Sequence, residues 1–105
     1  FAISMDSPER AQVVHDEWET HDLPLAHSLT EEQAREWGLY ISTRRENSEE
    51  PDRFSEPGLF LVRPDGRLYM AQVQSAPFTR PSMDQILQGM KAVKKLEYPA
   101  RGTAT

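Results

Sequence analysis

The sequence predicts an α/β protein, and three observations carry that expectation. A short apolar run at the start is followed at once by a capped helix. Two apolar runs flank a tight Pro-Asp-Gly turn near residue 65. A strongly amphipathic helix then closes the ordered part of the chain. Strand–helix followed by hairpin–helix is a pattern of mixed α/β architecture.

Phe1-Ala2-Ile3-Ser4 has no polar alternation, the signature of a strand covered on both faces in a parallel sheet. Ser7 and Pro8 open a helix. The serine hydroxyl can accept from a free amide of the first turn, and a proline at the first helical position sacrifices no hydrogen bond. Ala11, Val14 and Trp18 follow at helical spacing, and the helix should end near Asp22, ahead of Leu23-Pro24. Leu25 to Leu29 reads as a short edge strand. Thr30-Glu31-Glu32-Gln33 forms a capping box, and the short helix that follows should stop at Gly38, which tolerates the left-handed conformation. Leu39-Tyr40-Ile41 is expected to be extended or irregular. Residues 43–56 are polar, carry both charge signs and read as a loop.

Leu59-Phe60-Leu61-Val62 is the strongest strand signal. Pro64-Asp65-Gly66 turns the chain, and Leu68 to Val73 returns antiparallel. Both runs are apolar on both faces, so helices are expected to cover them. Ser82 caps the last helix, whose apolar stripe is Met83, Ile86, Leu87, Met90 and Val93. The expected layout is one domain over 1–98 with a loose tail over 99–105. The expected order is β-α-α-β-β-α.

Composition narrows the function. The 105 residues carry a net charge of −5, with 37% apolar and 28% charged residues, which suits a folded domain with a thin core. An acidic balance disfavours nucleic-acid binding, because phosphates require a positive face. Lys91, Lys94 and Lys95 are read as a helix C-terminus complementing the dipole. No apolar run approaches the ~20 residues of a membrane span, so no membrane partner is expected. The chain has no cysteine, which removes disulfides, thiolate metal sites and thiol chemistry by these residues themselves.

Other constellations have plain readings. His15, His21 and His27 recur every six residues, which does not place them on one helix face, and they are read as surface or satisfied histidines with no metal expected. Glu46, Glu49, Glu50 and Asp52 invite an acid–base or calcium reading, but a polar loop offers no visible pocket, and a solvated loop is the expectation. Trp18 and Trp37 are placed at the core or its rim by their helical phase. Met5, Met70, Met83 and Met90 are read mainly as packing residues.

An ordered series of segments carries a family resemblance. It comprises Ala2-Ile3-Ser4-Met5-Asp6-Ser7-Pro8-Glu9-Arg10, Trp37-Gly38-Leu39-Tyr40-Ile41-Ser42 and Glu56-Pro57-Gly58-Leu59-Phe60-Leu61-Val62-Arg63-Pro64-Asp65-Gly66. Pro77-Phe78-Thr79-Arg80-Pro81 and Tyr98-Pro99-Ala100-Arg101-Gly102 complete it. In this series the chain resembles the C-terminal part of peroxiredoxin-like redoxins of the alkyl hydroperoxide reductase and thiol-specific antioxidant group, within the thioredoxin-like superfamily. The resemblance implies a partial thioredoxin-like fold lacking the first core strand and the cysteine-bearing helix, which would precede Phe1.

The implied function is a thiol-dependent redox protein, a peroxidase-like enzyme or a thiol–disulfide oxidoreductase of the cytoplasm. Its implied partners are a peroxide or disulfide substrate and a thiol donor, with no further cofactor. The chain alone is expected to be inactive and open to self-association. Pro57 is the one redox-site position the resemblance leaves here, as a candidate cis-proline before the third strand. Many peroxiredoxins carry arginine at that position, so proline leans toward disulfide exchange. Two other readings stand beside this one. One is a cysteine-free thioredoxin-like binding module. The other is the thioredoxin-like C-terminal domain of a flavoprotein aromatic hydroxylase, where a strand ending in Arg-Pro-Asp-Gly also occurs.

Overall fold

A computed structural model of the chain describes residues 1–19 and 22–105. It is a mixed α/β structure that divides into two compact units, Phe1–Glu56 and Pro57–Thr105.

In the first unit, β1 (Ala2–Ile3) leads into α1 (Pro8–Glu17) and then β2 (Leu25–Ala26). The Arg10 N–H donates to Ser7 Oγ at 3.3 Å, so the cap and the N1 proline work as the sequence requires. β1 and β2 pair in parallel, with Ala2 opposite Leu25 and Ile3 opposite Ala26. The Ser28 and Leu29 amides extend the pairing by donating to the Asp6 and Ser4 carbonyls, each at 2.9 Å. This is the expected crossover, with a helix that stops at Glu17 instead of near Asp22. The expectation that β1 is covered on both faces fails: Phe1 is 90% and Ile3 47% exposed. Trp18 is also at the surface, 70% exposed. An apolar run identifies a strand but does not supply the layers that would bury it.

The short helix α2 (Glu31–Glu36) shows the full capping box. The Gln33 amide donates to Thr30 Oγ1, and the Thr30 amide donates to Gln33 Oε1. Gly38 ends the helix at φ +76°, where a side chain would be strained. The segment read as irregular or loop contains a hairpin, β3 (Ile41–Thr43) and β4 (Arg53–Ser55), paired antiparallel with Ser42 opposite Phe54. The loop proper is confined to residues 44–52. Charge concealed this ribbon from a reading by hydropathy, since a two-stranded ladder is held by backbone groups and needs little apolar surface. α2 packs on the ribbon and buries Ala34 completely.

The second unit opens with β5 (Gly58–Val62) and β6 (Leu68–Val73), an antiparallel pair with an irregularity between Leu61 and Val62. The turn follows the sequence expectation. The Gly66 N–H donates to the Arg63 carbonyl at 2.9 Å, Asp65 Oδ1 accepts from the Arg67 amide at 3.0 Å, and Gly66 sits at φ +82°. A 3₁₀ turn (Pro77–Thr79) precedes α3 (Met83–Leu96), capped by Ser82 and ended by Glu97 in the left-handed region. The Tyr69 hydroxyl donates to the Tyr98 carbonyl at 3.0 Å and ties the end of α3 to β6.

Two expectations for this unit are corrected. No residue of β5 or β6 is buried, so the hairpin is not covered on both faces. No residue of α3 is buried either: Ile86 and Val93 are half-buried, while Met83, Leu87 and Met90 are exposed. Among the described residues the strands form three separate two-stranded ribbons, β1–β2, β3–β4 and β5–β6. Such ribbons bury little on their own.

Candidate functional site

Pro57 begins the second unit, immediately before β5. Its carbonyl accepts from the Gln74 amide at 3.0 Å, extending the β5–β6 ladder by one bond. The Glu56–Pro57 peptide is trans, as are all the described peptide bonds. The cis isomer that the family resemblance suggested is therefore not adopted. Trans is the lower-energy form of an X–Pro bond by about 0.5–1 kcal/mol. Pro57 acts in this structure as a strand-entry residue.

In the first unit, Glu56 is the one buried charged residue among those described, 9% exposed. Its amide donates to the Tyr40 carbonyl at 2.8 Å, and its Oε1 accepts from the Ser42 hydroxyl at 2.6 Å. Burying a carboxylate is costly unless it is hydrogen-bonded, and Ser42 supplies that bond. The pair therefore ties β3 to the residue following β4.

A second polar centre holds α2 to the same ribbon. Glu31 accepts from Arg53 through both of its oxygens, with Nε and Nη2 each at 2.6 Å, and from Arg35 Nη2 at 2.9 Å. The Arg53 and then the Arg35 guanidinium hold the Glu31 carboxyl at a pKa of about 2, far below the usual carboxylate range. In the loop, Glu50 is likewise lowered to about 2 by Arg45 first and by Ser48. Glu50 is thus tied into an ion pair with Arg45 at 3.0 Å, while Arg44 pairs with Asp52 at 3.0 Å. The Glu31 and Glu50 carboxylates stay ionised throughout the physiological range and have no proton to offer as general acids.

Two of the three histidines lie in the described residues. His15 lies on α1, and His27 Nδ1 is hydrogen-bonded to Ser28 Oγ at 2.8 Å on the surface. His21 lies outside the described residues. No group of three metal-ligating side chains comes together among the described residues. Two surface depressions are open to solvent, one along Glu31, Glu32, Arg35 and Glu36, the other along Arg44 to Ser48. No helix among the described residues is long and apolar enough to cross a membrane.

Sequence reasoning missed both the Ser42–Glu56 and the Glu31–Arg53 ties. The available signal was the alternation in Ile41-Ser42-Thr43 and Arg53-Phe54-Ser55, period two over three residues each. Recognised as a hairpin, it would have brought Ser42 and Glu56 to the same end of the ribbon. Among the described residues the geometry offers a set of satisfied polar ties and two open surface depressions. Comparison with family models, with curated proteins and with solved structures finds no match to this chain.

Proposed function

We propose that this chain supplies part of a thiol-dependent redox protein of the peroxiredoxin-like, thioredoxin-fold kind, and that the reacting cysteine lies on polypeptide outside these 105 residues. The observation that carries the reading is the incomplete strand pairing. The parallel unit β1–α1–β2 and the hairpin β5–β6 followed by α3 come in the order this fold uses. Yet among the described residues β1 pairs with β2 alone and β5 with β6 alone, so each keeps an edge without a strand there. Unpaired strand edges are a liability that folds normally cover. The proposed segment would add a strand to those edges and a helix whose N-terminus lowers the pKa of its cysteine.

In the proposed reaction the cysteine thiolate attacks a peroxide oxygen and becomes a sulfenic acid, and the departing oxygen takes up a proton. A thiol donor then condenses with the sulfenic acid, releasing water and forming a disulfide. Exchange with a substrate disulfide is the other form of the same thiolate chemistry. A reducing cytoplasm is the matching compartment.

The test is an assay of peroxide consumption and disulfide reduction, with a thiol donor, on two proteins. One is the 105-residue chain. The other is the product of the reading frame extended about 50–70 residues upstream, a length set by ordinary domain size. The expected result is activity in the extended protein, lost on Cys→Ser substitution, and none in the 105-residue chain. Thiol-dependent turnover by the cysteine-free chain, or an upstream frame without cysteine, overturns the proposal. A second reading, a binding module without redox chemistry, is favoured by the exposed apolar side of α3, and the cysteine-free frame is the outcome that would select it.

A further inference from the structure

Sulfur in this chain is confined to four methionines, Met5, Met70, Met83 and Met90, because no cysteine is present. The structure divides them into two pairs. Met5, in the link from β1 to α1, and Met70, opposite Leu61 in the β5–β6 ladder, are half-buried. Met83 and Met90 stand on α3 and are 57% and 46% exposed. The reading of the methionines as packing residues therefore does not hold for the α3 pair.

The spacing of that pair matters as well as its exposure. Met83 and Met90 are two helical turns apart, and Leu87 stands between them on the same side of the helix. Two thioethers and one leucine thus make up an exposed apolar stripe. Oxidation turns a flexible apolar methionine into a polar sulfoxide, and susceptibility follows exposure. Changing two of the three residues would remove most of the stripe. The helix would keep what holds it. Its own hydrogen-bond ladder, its Ser82 cap and the Tyr69–Tyr98 tie involve no methionine side chain. Met5 and Met70 differ, since an oxidant has to reach side chains that the fold partly covers.

We propose that Met83 and Met90 are a paired oxidation site for hydroperoxides, whose conversion to sulfoxides switches the exposed side of α3 from apolar to polar while the fold is kept. In each step the thioether sulfur attacks one peroxide oxygen. The S–O bond forms as the O–O bond breaks. The proton on the attacked oxygen passes to the departing one, which leaves as water from hydrogen peroxide or as an alcohol from an organic hydroperoxide. Sulfur loses two electrons and the peroxide gains them. The inference needs no cysteine and stands apart from the redox reading, because each methionine reacts once and does not turn over.

The test treats the 105-residue chain with hydrogen peroxide, without a thiol, and follows each methionine by peptide mass spectrometry. Met83 and Met90 should each gain one oxygen at least about fivefold faster than Met5 and Met70, since exposure sets the order. In urea that unfolds the chain, the four rates should converge. The form oxidised at Met83 and Met90 should keep the circular dichroism of the parent and elute earlier from a hydrophobic-interaction column. The two methionine sulfoxide reductases, one for each sulfoxide epimer, should restore the parent elution when supplied with a thiol. Met83→Leu combined with Met90→Leu keeps good helix formers at both positions and should abolish the fast phase. Equal rates for all four methionines in the folded chain overturn the inference. A rate order that persists in urea also overturns it, because the order would then come from neighbouring sequence. Loss of helix signal on oxidation of the pair, an unchanged elution, or sulfoxides that the reductases cannot reverse count against it equally.

Discussion

The segment from α2 to Glu56 and the helix α3 are built on opposite principles. α2 has only six residues and little apolar surface, yet it buries Ala34 completely and is clasped to the β3–β4 ribbon by Glu31, Arg35 and Arg53. α3 has 14 residues and a pronounced apolar stripe, yet none of its residues is more than half-buried. A helix is held in place by what lies opposite it, and the strength of its own pattern does not provide a partner. In α2 the partner is a ribbon fewer than 25 residues away in the chain, brought close by a short hairpin. For α3 the described link is at its end, the Tyr69 hydroxyl on the Tyr98 carbonyl, with Arg101 donating to the Tyr98 hydroxyl at 3.2 Å.

The sharpest way to break this contrast is to overfill the buried position in α2. Ala34 is 0% exposed, so Ala34→Leu should force the helix off its ribbon and destabilise the chain by about 1–3 kcal/mol, read as a shift in the urea midpoint. A neutral result would mean that α2 is as loosely placed as α3.

The clasp itself can be titrated. With Glu31 held at a pKa of about 2, its folded-state value lies below the ordinary carboxylate value of 4.5. Its contribution is therefore present above pH 4.5 and is lost as pH falls from there through about 2. Because Glu31 is open to solvent, the effect is best read at the residue. A carboxyl-carbon NMR titration should give a midpoint near 2 in the parent and a clearly higher one in Arg53→Ala. An unchanged midpoint would show that Arg53 does not hold the carboxylate.

The smallest effect is expected on α3. A fully buried isoleucine would lose about 2–5 kcal/mol on truncation to alanine. Ile86 is only half-buried, and alanine is the better helix former, so Ile86→Ala in a monomeric chain should cost less than about 1 kcal/mol. A loss in the buried range, measured at a concentration where sedimentation shows monomer, would mean that α3 is packed within its own chain after all.

The local rules were legible. Ser7-Pro8, the Thr30–Gln33 capping box, the Gly38 stop, the Pro64-Asp65-Gly66 turn and the Ser82 cap all appear where the residues demand them. These features close over a few residues, so their energetics are contained in the local sequence. The parallel crossover and the mixed α/β class could also be read, because apolar runs and helical periodicity report which elements form. The candidate site was read less well. Pro57 was located at the entry to β5, but its peptide is trans, and isomer preference depends on surroundings that a local motif does not contain. The β3–β4 hairpin and the Ser42–Glu56 pair escaped notice because they are held by backbone ladders and by side chains 14 residues apart.

What the sequence by itself determined is thus where elements start, stop and turn, the absence of thiol chemistry in these residues, and the amphipathic character of α3. Burial was decided by the tertiary structure alone. Apolar patterning in Phe1–Ser4, Leu59–Val62 and α3 states that a face would gain by leaving water, but burial also needs a second surface at the right distance, and that surface is set by strand pairing across the whole chain. With the strands of the described residues sorted into three separate ribbons, those faces remain open, while the modest alanine of α2 is sealed.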